Sequence, residues 1–110
     1  MKKKIMLLVV FVLMSSNVMA EDCRDVIDVF FEEGFITDFW SNYNGDKNTS
    51  AIYVNPMIWG KLDARKYKLP LLICMCDYFN TLETVVQNVF NEERRLGIYR
   101  KKSKVYREFN

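Results

Sequence analysis

The chain has 110 residues, half of them apolar, with 15% aromatic side chains, three cysteines and no histidine. That length accommodates one domain with one modest core, and the lack of histidine removes the commonest general base and a principal metal ligand. The formal charge of +2 comes from the start of the chain: setting aside Lys2, Lys3 and Lys4 from 16 basic residues leaves 13 against 14 acidic ones, a net of −1. A near-neutral remainder excludes bulk positive charge as a basis for nucleic-acid binding.

Those three lysines head an unbroken apolar run, Ile5 to Met14, which Ser15, Ser16 and Asn17 interrupt before Val18-Met19-Ala20. A positive head, a short apolar stretch and a small-residue site form the layout of a secretory signal peptide. The apolar run falls well short of the roughly 20 residues that span a bilayer, so cleavage after Ala20 is expected rather than anchoring. Glu21 stands where a lipoprotein carries its acylated cysteine. The expected organisation is a signal peptide over 1–20 and a single small globular domain over 21–110. That domain is exported, periplasmic or secreted, with no transmembrane segment of its own.

Export places Cys23, Cys74 and Cys76 where disulfides form. Two positions apart on a helix, Cys74 and Cys76 point about 200° away from each other. The candidate bridge is therefore Cys23 with Cys74 or Cys76, the alternative being that all three are small buried hydrophobes. The same three residues lack the paired spacing of a zinc site, and the sequence calls for no metal or cofactor.

In chain order, Val26, Ile27, Phe30 and Phe31 make one apolar stripe, which predicts a helix over 23–33. Gly34 is placed to end it in a left-handed turn, with Phe35 folding back as the apolar partner of the cap. Residues 41–50 read as a polar loop turning at Asn44-Gly45-Asp46. Ala51 to Val54 is β-branched and aromatic, a strand. Asn55 and Pro56 suit the cap and first position of a short helical turn over 56–62, and Trp59 on that turn is expected in the core. Asp63 suits the cap of a further helical stretch from Ala64, and Pro70 marks a kink or the start of a buried helix reaching Phe79. Leu82, Val85, Val86, Val89 and Phe90 keep helical spacing, which predicts another helix running towards Arg94 and Arg95 with Gly97 as its cap. Ile98-Tyr99 and Val105 to Phe109 flank a basic turn and predict a terminal hairpin. The fold class expected is α+β: two to four helices packed on a short antiparallel sheet made from Ala51–Val54 and the terminal hairpin.

The stretch from Tyr53 to Leu62 carries a V-x-P-x-x-W-x-x-L core at Val54, Pro56, Trp59 and Leu62. It resembles a group of small, often exported bacterial proteins with that core. Gly34-Phe35-Ile36, Lys66 or Lys68, Tyr78-Phe79 and the terminal hairpin match further features of the group. The hairpin here lacks the group's turn glycine, and about ten extra residues precede it. The resemblance implies the fold and export, and the group has no established activity.

The inventory argues against an enzyme. Glu32-Glu33 and Glu92-Glu93 are adjacent pairs that diverge on a helix, no nucleophile has a base beside it, and no glycine-rich phosphate loop occurs. The favoured reading is a non-catalytic binding module of the bacterial cell envelope with a protein partner, such as an inhibitor, an immunity-type protein or an accessory subunit. Trp40 and Tyr43, beside the polar loop, are candidate contact residues, and the terminal hairpin adds Tyr99, Arg100, Lys101, Lys102, Lys104 and Tyr106. Seven acids crowd 21–38 and seven bases 94–110. The bland account is solvated faces, or two chain ends that attract each other. The alternative function is binding of an anionic surface, lipid or nucleic acid, through the basic hairpin, nucleic acid being the less favoured. Edge pairing of the terminal strand offers a homodimer.

Overall fold

The computed structural model describes residues 20–109; the expected signal peptide, apart from Ala20, lies outside them. The first helix, α1 (Ala20–Glu32), buries Cys23, Val26, Ile27, Val29 and Phe30. It stops as the sequence requires. Gly34 takes φ +80°, its N–H donates to the Phe31 carbonyl, and the Phe35 N–H donates back to the Phe30 carbonyl at 2.9 Å. This is the paired-bond cap that a left-handed glycine permits, and the Phe30 and Phe35 rings pack 5.6 Å apart across it.

Strand β1 (Asp38–Trp40) leads through a 3-10 turn at Tyr43–Gly45 into β2 (Thr49–Val54). Asn55 then caps the short helix α2 (Pro56–Gly60), its side chain accepting from the Met57 N–H at 3.0 Å. Asp63 caps the next segment, accepting from Lys66 N–H at 2.8 Å. That segment is a π-helical turn, Ala64–Lys68, running into α3 (Leu69–Phe79). Proline cannot donate to the preceding turn and its ring crowds the carbonyl four residues back. The widened turn before Pro70 relieves that conflict and swings Lys68 inward.

Residues 82–90 depart from expectation. They form β3 (Glu83–Asn88) and a turn, after which comes β4 (Asn91–Arg100). Leu82 and Phe90, required in the core by helical spacing, are 55% and 75% exposed. Thr84 and Gln87, polar on that pattern, are buried. The β-branched run Thr84-Val85-Val86 gains two hydrogen-bonded neighbours as a central strand, and this tertiary pairing overrides a five-residue coincidence of period. Gly97 consequently caps no helix. It lies inside β4, where an added Cβ would stand 2.5 Å from the Tyr106 hydroxyl and 2.8 Å from the Arg107 carbonyl. The expected hairpin closes the fold with β5 (Val105–Glu108).

The result is α+β: three helices and a five-stranded sheet in the order β1-β2-β3-β4-β5. The sheet is larger than expected and mixed, because β2 and β3 run parallel while the other pairs are antiparallel. The parallel pair arises from α2 and α3, which carry the chain back over one face between β2 and β3. Cys23 on α1 and Cys74 on α3 stand at disulfide distance, their Cα atoms 4.8 Å apart, and Cys76 stays a buried thiol. Among the described residues, no helix is long and apolar enough to cross a membrane.

Candidate interaction surface

Strand register sorts the side chains onto two faces. The row Phe39, Ile52, Val86, Gly97, Glu108 and the row Ser50, Thr84, Tyr99, Tyr106 face the helices. The row Trp40, Ala51, Val85, Ile98, Arg107 and the row Asp38, Tyr53, Gln87, Arg95 face the other way. Among the described residues, no helix covers this second face.

The helix side is closed, and most of its buried polar groups are matched, the exception among the described residues being Glu33 Oε1. The Ser50 hydroxyl lies 3.0 Å from that of Thr81 and 2.8 Å from that of Thr84, and the Cys76 thiol lies 3.2 Å from Thr84. Burial pushes the Cys76 thiol up, against its hydroxyl neighbours, so it stays protonated and is a poor nucleophile. Lys68, only 3% exposed, donates to both carboxylate oxygens of Glu108 at 3.0 and 3.1 Å and lies over the Trp59 ring. Trp59 Nε1 donates to the Tyr106 hydroxyl at 3.1 Å, and burial drives that hydroxyl well above the usual tyrosine range. Val54, Trp59 and the partly buried Leu62 of the V-x-P-x-x-W-x-x-L core thus pack inside, while Pro56 starts α2.

The open side is built differently. Ala51, Val85 and Ile98 form a small apolar floor, and Tyr43 and Tyr53 pack on it. The 3-10 turn carries Tyr43 over the floor, aided by left-handed conformations at Asn42 and Asn44. The Tyr43 hydroxyl donates to Gln87 Oε1 at 3.2 Å. Gln87 Nε2 in turn donates to the Glu92 carbonyl, where β4 bulges out of register against β3. One fully buried amide therefore fixes both the turn and the bulge. Arg95, just past the bulge, lies 5.6 Å over the Tyr43 ring. Tyr43, Asn44, Asp46, Thr49, Glu83, Val85 and Arg95 line an open-sided cleft of about 170 Å³. Trp40 is 56% exposed at the end of the same face.

These positions divide the sequence-predicted contact residues. Trp40, Tyr43 and Arg100 belong to the open face or its border, and Lys102 and Lys104 are exposed on the turn. Tyr99 and Tyr106 do not join them: Tyr99 is 2% exposed and Tyr106 packs against Trp59. Both fall at alternate positions that point to the helices, so the hairpin does not interleave aromatic with basic groups on one surface. Arg100 pairs with Glu83 at 3.7 Å and Lys101 with Asp77 at 3.3 Å. Among the described residues no ion pair joins acidic α1 to the basic hairpin. Sequence reasoning missed Arg95 and Gln87 as surface-building residues. The signal was the β-branched Thr84 to Val86, which as a strand puts Val85 and Gln87 on one face. Among the described residues no group of acidic and cysteine side chains is placed to hold a metal. Comparison with protein-family models, curated proteins and solved structures finds no match to this chain.

Proposed function

We propose that the chain is an exported, non-catalytic binding module whose protein partner docks on the open face of the sheet. The observation that carries this reading is the placement of Trp40, Tyr43, Tyr53 and Arg95 on the face left open by the helices. Trp, Tyr and Arg are the residue types that concentrate binding energy at protein interfaces. Export is supported by the signal-like leader and by the Cys23–Cys74 pair at disulfide distance, which suits an oxidising compartment. The resemblance of the Val54 to Leu62 core to small exported proteins fits the same reading. Its residues lie in the core or start α2, so on this proposal the motif serves the fold and the partner is chosen elsewhere.

A second reading, binding of an anionic surface, draws on one observation. Arg94, Arg95, Lys102, Lys104 and Arg107 make no ion pair among the described residues. The two readings separate by salt. Protein carrying a C-terminal tag is used to capture partners from envelope extract at low and high salt. A single protein retained at high salt supports the open face. Anionic lipid or nucleic acid that is lost at high salt, and lost in Lys102→Ala with Lys104→Ala, supports the basic rim, because phosphate contacts weaken steeply with salt. The edge position of β5 leaves a homodimer as a third arrangement, read directly from the mass of the purified protein in solution.

A further inference from the structure

Resting on the open-face reading, we infer that the cleft between Tyr43 and Arg95 is the seat for one acidic side chain of the partner, with Arg95 as the group that binds its carboxylate. The cleft is small. Ligand pockets for cofactors and drug-sized molecules run to about 300–1,000 Å³, whereas this one holds about 170 Å³, space for a single side chain.

Its chemistry is that of a donor site. Two acids line it, and neither offers much to an incoming group. Asp46 accepts from Asn48 N–H at 2.8 Å and from the Thr49 hydroxyl at 3.0 Å, one bond on each carboxylate oxygen. Glu83 faces Arg100. Arg95 is the opposite case. Its guanidinium presents a fork of N–H donors, it makes no ion pair among the described residues, and its one described contact is the Tyr43 ring. Stacking on an aromatic face leaves the edge of the fork free for a bidentate carboxylate.

The seat is also held in place beforehand. Gln87 is buried on the sheet and spends one end of its amide on the Tyr43 hydroxyl and the other on the bulge that precedes Arg95. The Tyr43 wall and the backbone leading to Arg95 are therefore fixed before a ligand arrives, which reduces the ordering cost of binding. Arg95 selects the occupant: its unpaired guanidinium beside the apolar Val85 matches the carboxylate and short methylene stem of Asp or Glu, and this contact has to outweigh the negative charge that Asp46 and Glu83 add to the lining.

The test uses protein purified from the full chain and two probes, N-acetyl-aspartate N-methylamide and its asparagine counterpart, monitored by ¹H–¹⁵N NMR. The aspartyl probe should produce saturable shifts at Arg95 Nε–H and at the Tyr43, Thr49 and Val85 amides, at least ten-fold tighter than the asparaginyl probe. Arg95→Gln, an exposed substitution, should abolish the shifts, while Lys102→Gln leaves them. Equal response to both probes, shifts centred on Lys102 and Lys104, or no response overturns the assignment. The open-face reading is tested apart from it by Trp40→Ala in the capture experiment. Capture lost in Trp40→Ala but kept in Arg95→Gln retains the face and removes the seat, whereas capture untouched by Trp40→Ala removes the face itself.

Discussion

The two faces of this sheet solve different problems with similar residues. On the helix side, Trp59, Tyr99 and Tyr106 are enclosed, and Trp59 Nε1 meets the Tyr106 hydroxyl at 3.1 Å. On the open side, Tyr43 and Tyr53 stand over a floor of three buried apolar residues, and Trp40 is exposed at the end of the same face. Tyr43 donates its hydrogen bond to Gln87, whose amide also holds the bulge beside the cleft. An aromatic side chain therefore has no fixed role by type. The parity of its position along the strand decides whether it stabilises the fold or is available to a partner.

The comparison breaks first on stability. Trp59→Ala should cost about 3–5 kcal/mol, as large-to-small core changes do. Replacing Cys23 and Cys74 by serine should cost about 4 kcal/mol for a loop of 51 residues, on the chain-entropy account. Chemical denaturation measures both, and a loss under 1 kcal/mol for Trp59→Ala would mean that the helix side is not the core.

The Lys68–Glu108 pair is the next largest effect. Glu108→Gln leaves a buried ammonium without its carboxylate and should cost about 1.5 kcal/mol, the low end of the range for hydrogen bonds to charged groups, because Glu108 is itself half exposed. Adding Lys68→Met should restore most of that loss. A double variant no more stable than Glu108→Gln alone would show that the pair is not what ties β5 to the helical layer. Gly97→Ala should cost about 1–3 kcal/mol by overpacking against Tyr106, and Gly97→Ala with Tyr106→Leu should lose less than the two changes summed.

Alkaline pH sharpens the contrast. Burial raises the tyrosine hydroxyls of Tyr106 and Tyr99 and the Cys76 thiol, so the fold favours their neutral forms. The unfolded chain ionises them at its ordinary values, near 9 for the thiol and 10 for tyrosine. The stability these groups contribute is therefore fully present below pH 9 and is lost as pH rises above it. The thermal midpoint should hold from pH 7 to 9 and then fall, and Tyr106→Phe should reduce the slope above pH 10. A midpoint that stays level to pH 11 would contradict the enclosure of these groups.

Much of this architecture was legible in the residues. Gly34 and Phe35 specify a left-handed cap with an apolar clasp, and the chain has no better use for that pair. Asn55-Pro56 and Asp63 state helix starts whose bonds are local, so they survive any tertiary arrangement. The stretch from Leu82 to Phe90 was illegible for the opposite reason. Its helical spacing is real, yet β2 and β4 offer Thr84 to Gln87 a place between them, and only long-range pairing reveals it. Misreading that strand also displaced the candidate surface. A helix from Leu82 towards Arg95 makes Arg95 a helix terminus and gives Gln87 no place beside Tyr43, so the cleft has no sequence signature. Trp40 is exposed and Tyr43 lies half-buried on the open face, placements that the polar loop beside them suggests. Tyr99 and Tyr106 were misplaced because alternation along a hairpin fixes which residues share a face, and not which face meets the helices.

The smallest stability effect tests the central claim most directly. Trp40→Ala and Arg95→Gln should each leave the unfolding free energy within about 0.5 kcal/mol of the parent, as exposed substitutions do. The decisive measurement is partner capture at high salt by the Trp40→Ala, Arg95→Gln double variant, alongside its thermal midpoint. Lost capture with an unchanged midpoint is the predicted result, placing binding on the open face and stability on the other. Full capture by that variant would contradict the account.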